Sequence, residues 1–239
     1  MQHPARLRLA CGLTVIIIVL VVLARAIGAD AFHQYRGDLV YYTVRHLVLV
    51  GYSMALALLV GIPAGVLLSR PALARQAERF MQVFNVGNTI PSLAVLAIAL
   101  GIFGIGDLPA ITALFLASLL PITRNTYEGM KGVPAALKEA ARGLGMTPWQ
   151  SLTRVELPNA SPIIIGGIRT ALAINVGSAP LAYLIGADSL GTLIFPGIYL
   201  NNNQQMLLGA VGTAALALVL DGIVAAGGRY ALARRGMVA

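Results

Sequence analysis

Long apolar runs alternate with short polar segments along this chain. Six runs approach or reach membrane-crossing length, since a helix needs about 20 residues to cross a hydrocarbon core about 30 Å thick. They cover residues 9–28, 46–68, 82–104, 108–123, 162–185 and 206–226. Each run must be helical, because lipid offers no hydrogen-bond partner to an unpaired backbone group. The pattern predicts an all-α integral membrane protein with about six transmembrane helices, forming a single domain over residues 1–239.

Composition and charge agree with a membrane protein. Hydrophobic residues make up 58% of the 239 positions and charged residues only 11%, whereas soluble domains carry about 25% charged residues. One small core could not bury so many apolar side chains. The net charge of +8 comes from Lys and Arg between apolar runs, so we interpret it as membrane topology rather than nucleic-acid binding. Cys11 is the single cysteine, which excludes an intrachain disulfide.

The distribution of Lys and Arg predicts the orientation, because cytoplasmic loops of membrane proteins are enriched in both. If the N-terminus is cytoplasmic and six helices follow, most of the 17 basic residues lie on the cytoplasmic side. We therefore expect both termini in the cytoplasm. Residues 6–31 also fit a signal peptide with a weak cleavage pattern. We favour an uncleaved first span, because its apolar run nearly crosses a membrane, and cleavage is the alternative.

The longest polar interruption, residues 124–161, predicts two short helices. A run of strong helix formers comes first, and Gly143 and Gly145 supply its stop and a tight turn. The second helix begins at Thr147, a favoured N-cap residue, with Gln150 placed to complete a capping box.

An apolar stripe follows this start, because Trp149, Leu152 and Val155 recur at three-residue spacing. We expect Leu157-Pro158 to end the second helix and Ser161-Pro162 to begin the fifth span. A compact helix pair with one apolar stripe fits a groove on a cytoplasmic partner. An amphipathic hairpin on the lipid headgroups is the alternative.

A fixed spacing runs through this loop: Glu139-Ala140-Ala141, three residues, Gly145, nine residues, Val155, one residue, Leu157-Pro158. It resembles the EAA loop of ABC importer permeases, although isoleucine is more usual where Val155 stands. In that family a coupling helix in this cytoplasmic loop docks into a cleft on an ATPase subunit. The resemblance implies an ATPase-coupling set on this chain. Its members are Glu139, Ala140, Ala141, Gly145, Trp149, Leu157 and Pro158.

Other segments resemble the osmoprotectant branch of that family, whose permeases serve glycine betaine, choline and carnitine. They lie at residues 89–94, 103–106, 120–127, 185–187 and 190–191, and the likeness covers about residues 40–225. Asp188 departs from the branch, since many relatives carry glycine there. It marks either a difference in substrate or gating, or an exposed loop acid. Import of methionine or another amino acid is the alternative function, because the EAA loop contacts the ATPase and not the cargo.

The resemblance also implies the partners. They are a cytoplasmic ABC ATPase dimer, an extracytoplasmic substrate-binding protein and a second permease, either another copy or a sister chain, in the lipid of the bacterial inner membrane. No nucleic-acid partner is expected.

ATP and Mg would bind to the ATPase, because this chain has no P-loop motif, and we expect no cofactor or metal here. An enzyme is not expected, because the sequence contains no recognisable set of catalytic residues. A secondary transporter would need an intramembrane carboxylate for ion coupling, and Asp221 is the residue that could serve.

Polar residues inside the apolar runs are candidates for the substrate path, because polar groups are costly in lipid. In the third run, Asn85, Asn88 and Ser92 fall at i, i+3 and i+7 and share one helical face. In the fifth run, Asn175 and Ser178 share a face near Tyr183. The candidates are Asn85, Asn88, Thr89, Ser92, Asn175, Ser178 and Tyr183. The alternative is that they only hydrogen-bond between helices. Gly61 and Gly65 in the second run predict close helix packing.

Aromatic content limits what the path can bind. A quaternary ammonium cargo is usually held by an aromatic cage through cation–π attraction. Aromatic residues make up only 6% of this chain, and no cluster of them falls within a predicted span. We therefore expect the high-affinity cage on the separate binding protein and a weak, neutral, polar path here.

Overall fold

The structure is a computed structural model that describes residue 22, residues 25–87, residues 89–234 and residue 236. Within those ranges the chain forms helices joined by turns, with no strand. The predicted all-α fold is therefore confirmed. The predicted first span, residues 9–28, falls almost wholly outside the described residues.

The described helices follow one another with short connections. They are α1 Ala29–Leu68, α2 Ala74–Gly87, α3 Ser92–Phe103, α4 Asp107–Lys131, α5 Ala135–Gly143, α6 Pro148–Ser151, α7 Leu157–Ser178, α8 Gly191–Tyr199 and α9 Asn203–Ala233. A π-helical turn, Leu152–Glu156, joins α6 to α7, and a 3₁₀ segment, Ala179–Ile185, continues from the end of α7.

Four helical stretches of the described chain are long and apolar enough to cross a membrane. They are Ala29–Leu68, Asp107–Lys131, Pro148–Ile185 and Asn203–Ala233. Ser92–Phe103 is apolar but shorter. The count of six spans is therefore not confirmed and stays a prediction.

Helix α1 is longer than the predicted second span. It begins at Ala29 instead of residue 46, so residues 29–45, which the apolar pattern leaves between the first two predicted spans, are helical. Asp30 and Arg36 end the apolar run, but this segment contains no proline to break a helix. At about 1.5 Å per residue, the 40-residue helix is about 60 Å long, twice the hydrocarbon thickness.

The predicted third span is wrong as a single helix. Residues 82–104 are divided, because α2 ends at Gly87 and α3 begins at Ser92. Pro91 stands immediately before α3, and proline disfavours helical backbone in the residue that precedes it. With 12 residues, α3 extends only about 18 Å.

The predicted fourth span, residues 108–123, is too short. Helix α4 continues through Pro121 to Lys131, for 25 residues in all. Asn125 Nδ2 donates to the Pro121 carbonyl oxygen at 2.8 Å. Polar residues beyond the apolar run therefore extend the helix instead of ending it.

Helix α4 is central to the fold, since it packs against both α1 and α7. Fully buried Leu49 of α1, Leu114 of α4 and Val176 of α7 meet in the main hydrophobic core. Helix α9 packs against α7 and α8. These contacts fix the positions of the two segments at the ends of α7, which are the π-turn before it and the 3₁₀ segment after it.

Glycines let α1 and α7 approach α4 closely. A Cβ on Gly65 would lie 2.7 Å from the Thr123 carbonyl oxygen and 2.6 Å from Thr126 Cβ. A Cβ on Gly61 would lie 3.2 Å from Thr123 Oγ1. On α7, a Cβ on Gly167 would lie 3.0 Å from a backbone carbonyl oxygen of α4. The predicted close packing at Gly61 and Gly65 is confirmed.

We predict that Gly65→Ala destabilises the protein, because the added methyl group meets a backbone oxygen that cannot rotate away. Overpacking of this kind typically costs about 1–3 kcal/mol. Gly51→Ala on the same helix is the matched control, since nothing lies within 4 Å of its added Cβ. Thermal unfolding of the purified protein in detergent checks the difference. Equal unfolding temperatures for the two variants would contradict this account of the α1–α4 contact.

Candidate functional site

The turn between α5 and α6 is built as a helix C-cap. Gly145 has a φ of 72°, a left-handed conformation that glycine adopts without strain. The Met146 N–H donates to the Ala141 carbonyl at 3.0 Å, and the Gly145 N–H donates to the Arg142 carbonyl at 2.9 Å. This pair of bonds is a Schellman motif. The predicted tight turn at Gly145 is therefore confirmed.

The start of α6 carries the predicted capping box. The Gln150 N–H donates to Thr147 Oγ1 at 3.2 Å, and the Thr147 N–H donates to Gln150 Oε1 at 2.9 Å. Pro148 occupies the first helical position, where its missing N–H costs nothing. Two adjacent caps therefore hold the turn in one conformation.

Two large apolar side chains project from this turn. Leu144 is 77% exposed and Trp149 is 71% exposed. Of the predicted coupling residues, Glu139 and Ala140 are also exposed, whereas Ala141 is buried. An exposed apolar pair on a rigid turn fits insertion into a partner. Sequence reasoning missed Leu144, although an aliphatic residue between two turn glycines was the available signal.

The second helix does not end at Leu157-Pro158, so that prediction is wrong. The π-turn Leu152–Glu156 carries the chain directly into α7, where Pro158 lies in the first turn and Pro162 lies inside the helix. Proline is tolerated in a first turn because its missing N–H has no intrahelical partner there. The turn between α5 and α6 is therefore joined without a break to a helical stretch that is long and apolar enough to cross a membrane.

A partly buried ion pair anchors the π-turn to the residues just after α1. Glu156, whose side chain is 8% exposed, accepts from Arg70 Nη1 at 2.8 Å and from Ser151 Oγ at 3.2 Å. Sequence reasoning missed both Arg70 and Glu156, since neither lies in an apolar run. Glu156 does stand inside the motif, between Val155 and Leu157.

A cavity of about 440 Å³ lies between α3, α4 and the end of α7. Its lining is mostly apolar, and the predicted path residues Ser92 and Ser178 both contribute to it, together with Thr112. Thr89 is exposed and does not line this cavity. Tyr183 lies outside it and stacks on Phe195, with the ring centroids 5.5 Å apart.

Two predicted path residues cannot be placed with the others. Asn85 lies on α2, but its side chain is outside the described part of the structure, and Asn88 is outside it altogether. The predicted shared face of Asn85, Asn88 and Ser92 therefore stays a prediction. The break before α3 separates Ser92 from the other two, so one continuous helix does not carry all three.

Asn175 is fully buried and does not line the cavity. Its Nδ2 donates to Ser118 Oγ at 2.7 Å and to Ser53 Oγ at 2.9 Å. These bonds join α7 to both α4 and α1. The structure therefore favours the alternative role for Asn175, which is hydrogen bonding between helices.

Comparison with known proteins gives the family. The model of the binding-protein-dependent transport system inner membrane component matches residues 57–235, most of the chain. The chain belongs to this family of ABC importer permeases.

Relatives of this permease are similar to it in sequence over most of its length. It is 59% identical over 229 residues to the osmoprotectant import permease protein OsmY of Salmonella typhimurium, covering 95% of this chain and 97% of that one. It is 42% identical over 189 residues to the choline transport system permease protein OpuBB of Bacillus subtilis, covering 79% and 86%. Such relatives confirm a transport subunit rather than an enzyme.

A solved structure has the same fold. The permease superposes on an inward-facing conformation of the MetNI methionine ABC transporter with a TM-score of 0.68 and 26% identity, covering 84% of this chain and 97% of that one. The inner-membrane family and the apolar helices together identify a membrane protein.

Asp221, the acid that a secondary transporter would need, is paired in this permease. Arg169 Nε and Nη2 donate to its two carboxylate oxygens, each at 2.7 Å, and so link α7 to α9. Bidentate pairing of this kind is strong and geometrically specific. Among the described residues, no three His, Cys, Asp or Glu side chains lie together as a metal site would require.

We predict that Glu156→Ala lowers the thermal stability of the permease more than Arg154→Ala, a change at an exposed position of the same turn. The change removes the ion-pair partner of the partly exposed Arg70, at a cost of about 1–3 kcal/mol after solvent screening. Differential scanning fluorimetry in detergent measures both variants. The double variant Arg70→Met, Glu156→Leu removes both charges and should recover part of the loss. A double variant that is no more stable than Glu156→Ala would contradict the pairing.

Proposed function

We propose that this chain is the transmembrane permease subunit of an ATP-driven importer for osmoprotectants such as glycine betaine, choline or carnitine. The observation that carries the proposal is the 59% identity to an osmoprotectant import permease over nearly the full length of both chains. The 42% identity to a choline permease supports the same class of cargo.

We further propose that the turn around Gly145 docks on a cytoplasmic ABC ATPase, which holds the ATP and Mg. The exposed Leu144 and Trp149 support this, because they are large apolar groups fixed on a doubly capped turn. The proposed contact set is the one predicted from the sequence, extended by Leu144. Its original members are Glu139, Ala140, Ala141, Gly145, Trp149, Leu157 and Pro158. Leu157 and Pro158 are half-buried, so their role is to position the turn rather than to touch the ATPase.

The membrane orientation follows as a proposal. The docking turn and both termini lie in the cytoplasm, supported by the Lys and Arg distribution. Six spans, with residues 9–28 as the first, remain our proposed topology. An extracytoplasmic binding protein delivers the cargo on the opposite side, and a second permease, identical or related, completes the assembly.

We propose that the cargo passes the cavity lined by Ser92 and Ser178. Its apolar walls with a few hydroxyl groups match a weak, neutral path. Asn85, Asn88 and Thr89 are proposed to extend this path on the α2 side, and Tyr183 to flank it. The exposed Ile98 and Ile102 of α3 support closure of the path by the second permease, since such apolar side chains favour burial.

Import of methionine or another amino acid is the second candidate. The superposition on the methionine transporter favours it, with 26% identity. That identity is well below the 59% found with the osmoprotectant permease, so the osmoprotectant class is the stronger proposal.

Uptake measurements separate the two candidates. Cells with and without the gene are given labelled glycine betaine, choline, carnitine and methionine at low and high salt. We expect the deletion to abolish uptake of one or more of the three quaternary ammonium compounds and to leave methionine uptake unchanged. Loss of methionine uptake alone would overturn the cargo class while keeping the importer assignment. Strains lacking other osmoprotectant importers provide the background, so that redundancy does not hide the effect.

We predict that Gly145→Val abolishes most transport while the protein still inserts in the membrane. The left-handed backbone at Gly145 is strained for a β-branched residue, by about 1–3 kcal/mol, so the docking turn rearranges. Gly143→Val is the matched control, because neither glycine has an atom within 4 Å of an added Cβ and only Gly145 has a positive φ. Membrane abundance, uptake and stimulated ATPase activity are measured together. Normal uptake by Gly145→Val would overturn the docking assignment.

A further inference from the structure

Five side chains form a group at the end of the bundle away from the docking turn, and only one of them, Tyr183, has been given a role above. We call Tyr41, Tyr42, Tyr183, Asp188 and Phe195 the aromatic–acid cluster. The rings of Tyr41 and Tyr42 meet edge to face at 5.2 Å, and those of Tyr183 and Phe195 stack at 5.5 Å. The Tyr41 hydroxyl donates to Asp188 Oδ2 at 3.3 Å. Helix α1, which carries Tyr41 and Tyr42, packs against both the 3₁₀ segment with Tyr183 and helix α8 with Phe195. Tyr42 also lies within electrostatic range of Asp188 and Tyr183.

The position of the cluster follows from the length of α1. Tyr42 precedes Arg70 by 28 positions in the sequence, which corresponds to about 40 Å along a helix axis. Arg70 binds Glu156 beside the docking turn. Because the hydrocarbon core is about 30 Å thick, the cluster lies at the opposite membrane surface, where the binding protein would release its cargo.

The local charge around the cluster is negative. Asp188 and Asp38 both lie within electrostatic range of Tyr42. Arg45 lies within electrostatic range of Asp188, and its guanidinium is paired with Asp107 at 2.5 Å. The pair is close to neutral, so the two remaining carboxylates decide the sign of the field. A cation is attracted to this surface and an anion is repelled.

Rings and a carboxylate are the groups that recognise a quaternary ammonium ion. Such an ion has no N–H group and cannot donate a hydrogen bond of the ordinary kind, so aromatic faces hold it through cation–π attraction. Tyr41 is 53% exposed, and Tyr42, Tyr183 and Asp188 are partly exposed. A ligand in water can therefore reach the cluster without unfolding any element.

The cluster is also connected to the cavity through one segment. Ser178 lines the cavity, and the 3₁₀ segment Ala179–Ile185 leads from it to Tyr183. Five residues of 3₁₀ helix extend about 10 Å. Cargo bound at Tyr183 would thus be about 10 Å from Ser178, which lines the cavity.

We propose that the aromatic–acid cluster is a low-affinity site that receives the quaternary ammonium group of the cargo before it enters the cavity. The site rests on the proposed function. Its rings come from α1, the 3₁₀ segment and α8, and Asp188 comes from the loop before α8, so no single span contains it. Interfacial aromatic belts are common in membrane proteins, but a belt residue has no need of a carboxylate bonded to it.

The test uses the complete importer, with its ATPase and binding protein, in proteoliposomes. Binding protein saturated with labelled choline, or with labelled glycine betaine, is supplied to each variant. One binding protein is loaded with either cargo and kept the same for all variants, so a change in the ratio of the two transport rates between variants reports the permease. The variants are Asp188→Asn, Tyr42→Leu and Tyr42→Phe. Tyr199→Leu is the control, since Tyr199 is an exposed tyrosine at the end of α8 and outside the cluster.

We expect Asp188→Asn to slow choline, a net cation, about two- to fivefold relative to glycine betaine, a zwitterion, as for one partly exposed cation–π or charge contact. Tyr42→Leu should slow both cargoes by a similar factor, while Tyr42→Phe keeps the ring and both rates. Tyr199→Leu should match the unmodified importer.

An unchanged cargo ratio in Asp188→Asn, or unchanged rates in Tyr42→Leu, would overturn the site while leaving the proposed function intact. An equal loss of both cargoes in Asp188→Asn, with weaker binding of unloaded binding protein, would also overturn it and assign the cluster to docking. If the unmodified importer transports none of choline, glycine betaine and carnitine, the proposed function fails and the site fails with it.

Discussion

The close approach of α4 to α1 and α7 is the constraint on which the rest of this permease depends. Inside lipid no hydrophobic effect drives helices together, so packing and interhelical hydrogen bonds must do so. Gly65 and Gly167 supply the packing by removing side chains where backbones meet. Asn175 supplies the bonds, because its amide reaches a serine on each neighbouring helix. The three helices are thereby held at fixed separations.

The proposed docking turn and the proposed cargo cavity both lie on this three-helix unit. The cavity is bounded by α3, α4 and the end of α7. The docking turn leads into the start of α7, and Arg70, just beyond α1, holds Glu156 beside it. A change in the separation of α1 and α7 would therefore alter the turn and the cavity together. This geometry gives the physical route by which events at an ATPase could reach the cargo.

Local chemistry made the docking turn predictable from the sequence. The capping box at Thr147, the left-handed Gly145 and the close contact at Gly65 each follow from residue types at short spacing. Helix boundaries were less predictable. Polar residues limit the apolar runs near residues 46 and 123, yet α1 begins before residue 46 and α4 continues beyond residue 123. Polar side chains mark where a chain leaves the lipid, but they do not end a helix. Hydropathy alone predicts one span over residues 82–104, but the chain there is divided before α3, where Pro91 stands.

Long-range contacts account for what the sequence could not predict. The pairing of Arg70 with Glu156 joins residues 86 positions apart, and that of Tyr41 with Asp188 joins residues 147 apart. Asn175 is polar and lies in a span, as a path residue would, and only its neighbours reveal its packing role. Spacing along a chain carries no information about such partners.

The unbroken stretch from Pro148 to Ile185 has one consequence for movement. Its α-helical part, α7, has 22 residues and is about 33 Å long. This part can act as a lever, with the docking turn before it and the segment leading to Tyr183 after it. An α-helix is stiff, so a displacement of one end must either tilt the whole helix or bend the chain where its backbone hydrogen bonds change from the α-helical pattern to another. The π-turn at Leu152–Glu156 and the 3₁₀ segment at Ala179–Ile185 are those two places. The lever thus carries a compliant joint near each end and a rigid shaft through the membrane.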